Sequence, residues 1–223
     1  MSALTLALDG STHSASIALL RDGKLVGESV AGWENEGGGR GEALVPMIAQ
    51  MLGANGLRAD QITEVICGAG PGSFTSLRVA ASVGKGIAVA AGAKMYAVSS
   101  LLLTVGAQNQ MSDGNYLSVL PAMRGEVFAL PVTVMSGVPT PSAPRHTILG
   151  DDAIASLAAD IGARVVGPGQ QLDVSPHARG ILPLYSAIIA GEAIDLYSWE
   201  PDYGRLAEAQ VKWEAAHGRP LTA

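Results

Sequence analysis

Residues 4–9, LTLALD, alternate apolar and small positions and read as a buried strand that ends on an aspartate. SASIALL (14–20) and KLVGESV (24–30) follow as two more strands. Between them Asp22-Gly23 is a hairpin signal, because both turn positions favour left-handed backbone. The chain therefore opens as a three-strand antiparallel meander whose first turn is DGSTH. A polar, glycine-rich loop spans 31–41, and 42–56 carries apolar residues at Leu44, Met47, Ile48, Met51 and Leu52, the spacing of an amphipathic helix. A strand is expected over 64–69, a helix over 74–92, a strand over 94–99 and a helix over 100–108.

The second half reads as strand-rich over 115–134, with a turn near Met123 to Gly125 and a proline-rich surface loop over 136–146. A helix is expected over 151–162, with Asp151 or Asp152 as N-cap and Gly162 as its stop. One further strand lies in ARVVGPG, a helix broken by Pro183 spans 176–192, and a last helix spans 204–218. Strands alternating with helices in this way make an α/β layer arrangement. No repeat of fixed period is visible.

Composition narrows the function. The 223 residues carry a formal charge of −6, and the fourteen Lys and Arg are scattered singly. Strong nucleic-acid binding by this chain alone is not expected, since phosphate neutralisation supplies most of such affinity. With 4% aromatic residues there is no stacking platform for single-stranded bases. Cys67 is the sole cysteine, which points to a reducing compartment. No basic leader and no apolar run of spanning length occur, so a soluble cytoplasmic protein is expected.

Two stretches invite chemistry. The first turn, DGSTHS (9–14), offers the Asp9 carboxylate for a metal or water, with hydroxyls on Ser11 and Thr12; a plain strand connection is the alternative. The stretch GAGPGSFTSLR (68–78) places Gly68, Gly70 and Gly72 before Ser73, a natural N-cap, and amides at such a helix start attract anions. It fits neither G-x-x-x-x-G-K-[ST] nor G-x-G-x-x-G, so a tight strand-to-helix turn is equally served. Along the following helix Ala80, Gly84 and Ala88 recur every fourth residue beside Leu77 and Ala81, a smooth stripe suited to a partner helix or to internal packing. The four histidines form no H-x-x-x-H or H-E-x-x-H pair, no G-x-S-x-G elbow occurs, and Cys67 lies in a strand expected to be buried.

LALDGSTHSASIAL, GAGPGSFTSLRVAASVGKGIA, VSSL (98–101) and RGEVF (124–128), in that order, resemble the TsaB (YeaZ-type) family, and WEPDYGRLAEAQVKWEAAHG is similar to its terminal P-x-Y segment. The resemblance implies an ASKHA-type fold (the actin, hexokinase and Hsp70 architecture) with lobes at 1–103 and 104–203, the first completed by the helix at 204–218. It implies a non-catalytic subunit that pairs with TsaD, the enzyme that threonylcarbamoylates adenosine 37 of tRNA. TsaE would dock on that pair, a homodimer would form in TsaD's absence, and tRNA would be met indirectly. No cofactor of its own is implied, and ATP with Mg would belong to the partner complex.

The family interface maps onto the helices at 42–54 and 74–91, hence onto Leu44, Met47, Ile48, Met51, Leu77, Ala80, Ala81, Gly84 and Ala88. Asp9, Ser11, Thr12, Gly70, Gly72 and Ser73 would form a vestigial nucleotide or anion site. The chain departs from the family pattern at Ser76, at Ala122 and around Arg40. A small ASKHA ATPase or phosphotransferase using Asp9 and the 68–73 loop is the rival reading, and a peptidase is disfavoured.

Overall fold

The computed structural model describes residues 2–32, 43–205 and 216–218. Strands β1 (Leu4–Asp9), β2 (Ser14–Arg21) and β3 (Lys24–Gly32) form the antiparallel meander. The hairpin between β2 and β3 turns at Asp22 and Gly23, with φ of 50° and 74°. Helix α1 (Leu44–Ala54) leads through a short 3-10 turn to β4 (Glu64–Gly68), and helix α2 (Phe74–Ala91) carries the chain to β5 (Lys94–Val98). Parallel neighbours need such a crossover, and β4 does lie parallel beside β1 and β5 parallel beside β4. The five-stranded order is β3-β2-β1-β4-β5.

Alternation along these strands serves two layers. Leu6, Leu8, Ile17 and Leu19 point to the face covered by α1 and α2. Ala7, Ala18, Leu20, Ile66 and Tyr96 point to the other face, which is covered by a 3-10 helix at Ala178–Leu184 and by α5 (Tyr185–Ala190). Before these comes helix α3 (Ser100–Gly106), whose Leu101 and Val105 join the core of a second sheet.

That sheet contains β6 (Gly114–Pro121), β7 (Glu126–Met135), β8 (Val138–Pro141), β9 (Thr147–Gly150), β10 (Arg164–Gly167) and β11 (Leu172–Asp173), with α4 (Asp151–Asp160) on its outer face. Its order is β11-β10-β6-β7-β8, with β9 also on β7. Read from β8, it repeats the first sheet: two antiparallel neighbours, then two parallel ones. This doubled arrangement is the two-lobed ASKHA fold. The layer between the two sheets holds α3 and the 3-10 helix. There α3 and the 3-10 helix cross at Gly106 and Gly180, each of which lies against backbone of the other element with no space for a Cβ.

Several expectations change. The boundary at 103/104 falls inside α3, and residues 178–199, read as second-lobe, complete the first lobe's cores. The loop at 136–146 contains β8, because Ser136-Gly137 is a further left-handed hairpin turn (φ 52° and 75°). Gly150, not Asp151 or Asp152, is the N-cap of α4. Arg40, most of the 31–41 loop and most of the 204–218 helix lie outside the described residues.

Candidate functional site

The sequence-predicted anion site is brought together, and it is closed on itself. Asp9 ends β1 with 1% of its surface exposed. One carboxylate oxygen accepts from the backbone N–H of Ser11 at 3.0 Å and from its hydroxyl at 2.7 Å; the other accepts from the Ser100 hydroxyl at 2.6 Å. Ser100 Oγ in turn accepts from the Gly70 N–H at 3.1 Å, and the Ser11 carbonyl accepts from the Ser73 N–H at 2.8 Å. The glycines are required by contact: a Cβ on Gly68 would strike the Asp9 carboxylate, and one on Gly72 would strike the Ser11 backbone. Thr12 bonds within its own turn, to Ser14.

Ser73 stands at the N-cap position of α2 but does not cap it. Its hydroxyl pairs with that of buried Ser76 at 3.0 Å and makes no capping bond to the first amides of the helix. The departure at Ser76 thus supplies a partner for Ser73. Ala122, the other departure, is half-buried beside the second-lobe core.

Residues 201–205 lie over this loop. The Asp202 N–H donates to the Ala69 carbonyl at 2.7 Å, and the Tyr203 ring sits 4.5 Å from that of Phe74. Arg78 lies above the Phe74 ring at 5.4 Å.

The predicted contact residues need correction. Leu44, Ile48, Met51, Leu77, Ala80, Ala81, Gly84 and Ala88 are all buried in the chain's own core, and Met47 is half-buried against it. A Cβ on Gly84 would already meet Met95 Cε at 3.2 Å and Leu8 Cδ1 at 3.4 Å. The smooth stripe therefore faces the sheet. On the outward side of the same helices stand Val45, Ala49 and Gly53 on α1, and Ser82, Gly86, Val89 and Ala90 on α2. Val45 is 56% exposed and Val89 64%, and a Cβ at Gly53 or Gly86 would meet open space.

Cys67 is buried in β4, where desolvation and then the nearby Asp9 charge push its thiol far up, so it stays a thiol. Among the described residues no group of three or more His, Cys, Asp or Glu is placed to hold a metal ion. A cavity of about 270 Å³ lies at the two crossovers between the lobes, lined by Asn109, Asp173, His177 and Arg179 among others. Arg179 ties this junction together, donating to the Ala107 carbonyl, to Asn109 and to Glu28. Burial, partly offset by Glu28, lowers the pKa of His177, whose Nδ1 accepts from the Arg179 N–H.

Ser100 and Arg179 escaped the sequence reading. VSSL marked the place of Ser100 without its chemistry, since its partner is 91 residues away.

Along its length the chain is 25% identical to the tRNA threonylcarbamoyladenosine biosynthesis protein TsaB of Bacillus subtilis, over 93% of this chain and 96% of that one. The TsaB of Escherichia coli is 31% identical over 55% of this chain and 52% of its own length. By sequence the chain is similar to the TsaB (YeaZ-type) proteins. The fold agrees: YeaZ from Pseudomonas aeruginosa superposes with a TM-score of 0.75 at 24% identity, over 90% of this chain and 99% of that one. A family model described as TsaD, tRNA N6-adenosine threonylcarbamoyltransferase, matches residues 41–134, which run from α1 into β7. In this TsaB-like chain that stretch includes α2 and the glycine loop, but Asp9 precedes it. No helix among the described residues is long and apolar enough to cross a membrane.

Proposed function

We propose that the chain is a non-catalytic scaffold and activator subunit in threonylcarbamoylation of adenosine 37 of tRNA, paired with a TsaD-type transferase. The observation that carries this reading is the Asp9 carboxylate: both of its oxygens are taken by Ser11 and Ser100 where a phosphotransferase of this fold needs a carboxylate open to ligand. Similarity to the TsaB proteins supports the process. The acidic net charge of −6 favours a partner as the tRNA-binding subunit, and ATP with Mg is assigned to the partner complex. TsaE docks on the pair, the chain self-associates when alone, and the assembly works in the cytoplasm.

The contact surface is the outward face of α1 and α2, where Val45, Ala49 and Gly53 of α1 and Ser82, Gly86 and Val89 of α2 are all exposed and none is charged. Small side chains let a partner helix approach closely, and the two valines supply apolar area to bury. The test is co-purification with the transferase of the same organism and assay of modified tRNA. Complex formation and a rise in modified tRNA are expected, and Gly86→Leu, which points into open space, abolishes association without loss of fold. Absence of a complex, or full transferase activity without this chain, overturns the reading. So does magnesium-dependent ATP turnover by the isolated chain that is lost in Asp9→Asn.

A further inference from the structure

Residues 201–205 cross from one lobe to the other and hold both. On the first-lobe side, the Asp202 N–H bonds to Ala69, its carbonyl abuts Gly70 with no space for a Cβ, and Tyr203 stacks on Phe74. On the second-lobe side, the Asp202 carboxylate lies 3.7 Å from His146 Nδ1, and Arg205 pairs with Glu126 of β7. Gly204, at φ +72°, lets the chain turn between Pro71 and the Phe128 ring, where a Cβ would collide with both; its N–H is held by Asp202 Oδ1 at 2.8 Å. Phe128 is itself braced edge-on against His146 at 5.4 Å.

Among the described residues, the approach to this segment is anchored to the first lobe. Ile194 N–H donates to Met95 of β5 at 2.8 Å, and Lys85 Nζ donates to the Trp199 carbonyl at 2.5 Å while lying 5.6 Å from the centre of its ring. The far end is less complete: Arg205 Nε is buried without a hydrogen-bond partner among the described residues. A segment fixed firmly to one lobe and tied to the other through a few side chains can let go of the second without unfolding either sheet.

We propose that residues 201–205 are a clasp that fastens the two lobes on the side of the 68–73 loop and occupies the space a ligand bridging that loop and the second lobe would need. The clasp then adds to the junction made by α3, the 3-10 helix and the crossovers that Arg179 ties together. Releasing the clasp leaves that junction as the hinge. This inference stands apart from the proposed pairing with a transferase.

The experiment places nitroxide labels at Ser82→Cys on α2 and Ser156→Cys on α4, both exposed, in the full chain; Cys67 is buried and needs no removal. Electron–electron distance distributions are compared with and without Glu126→Gln, which weakens the second-lobe tie and touches nothing in the first lobe. A narrow distribution that broadens in Glu126→Gln is expected. Amide exchange at 69–76 should then quicken about tenfold, while amides of β1 and β2 keep their protection. An unchanged distribution with unchanged exchange at 69–76 overturns the clasp. If Glu126→Gln loses protection throughout, Tyr203→Ala, which cuts the clasp from the first-lobe side, carries the same test with the same two outcomes.

Discussion

Asp9 shows how a residue with catalytic looks becomes structural. Its three hydrogen bonds join the first turn to the start of α3 and, through Ser100 Oγ, to the glycine loop. Asp9→Ala leaves the donors of Ser11 and Ser100 unmatched in the interior. We expect a loss of about 3 kcal/mol in urea unfolding, the scale of hydrogen bonds to a buried charge. Cys67, with its thiol held protonated by burial, should resist alkylation in the folded protein and react once urea unfolds it. His177 sets a pH dependence. Its folded pKa lies below the ordinary 6.5, so between those two values the unfolded chain binds more protons than the folded one. Stability therefore falls as the pH drops below about 6.5, and the slope should be shallower in His177→Gln; equal slopes in parallel denaturation series would contradict this.

At the scale of elements, α2 is the most instructive. Two small-residue lines run along its 18 residues at four-residue spacing, Ala80-Gly84-Ala88 and Ser82-Gly86-Ala90. The sequence cannot say which line goes inside, because Met95, Leu8 and Val65, which decide it at Gly84, belong to three separate strands. Leucine at the two glycines should separate the roles. Gly84→Leu overfills the core and should lower stability by about 1–3 kcal/mol, whereas Gly86→Leu should hold or raise it, since glycine costs a helix interior about 1 kcal/mol. Melting temperatures of the two variants check this. The meander, α1, α2 and the turns at Asp22-Gly23 and near Met123 to Gly125 were legible from local period and turn chemistry. The region 136–150 was not, for its prolines hide two short edge strands whose pairing is set by β7. Nor was the clasp, whose meaning depends on Phe74, Phe128, Glu126 and His146, all distant in sequence.

For the whole molecule, one strand order is built twice from stretches that share no repeated sequence, so the order does not depend on particular side chains. The two lobes meet where α3 crosses the 3-10 helix at Gly106 and Gly180. A Cβ at Gly180 would press on the Leu103 carbonyl, so Gly180→Ala should destabilise by about 1–3 kcal/mol in thermal or urea unfolding. The packing on the first sheet also bears on how the chain is made. The face bearing Ala7, Ala18, Leu20, Ile66, Tyr96 and Val98 is closed by Ala178, Ile181, Leu184 and Tyr185. A ribosome adding roughly 5–20 residues per second would leave that face uncovered in the nascent chain for several seconds. The newborn protein is thus a natural client for chaperones. A fragment ending at residue 113 should bind anilinonaphthalene sulfonate and precipitate, and the full chain should do neither.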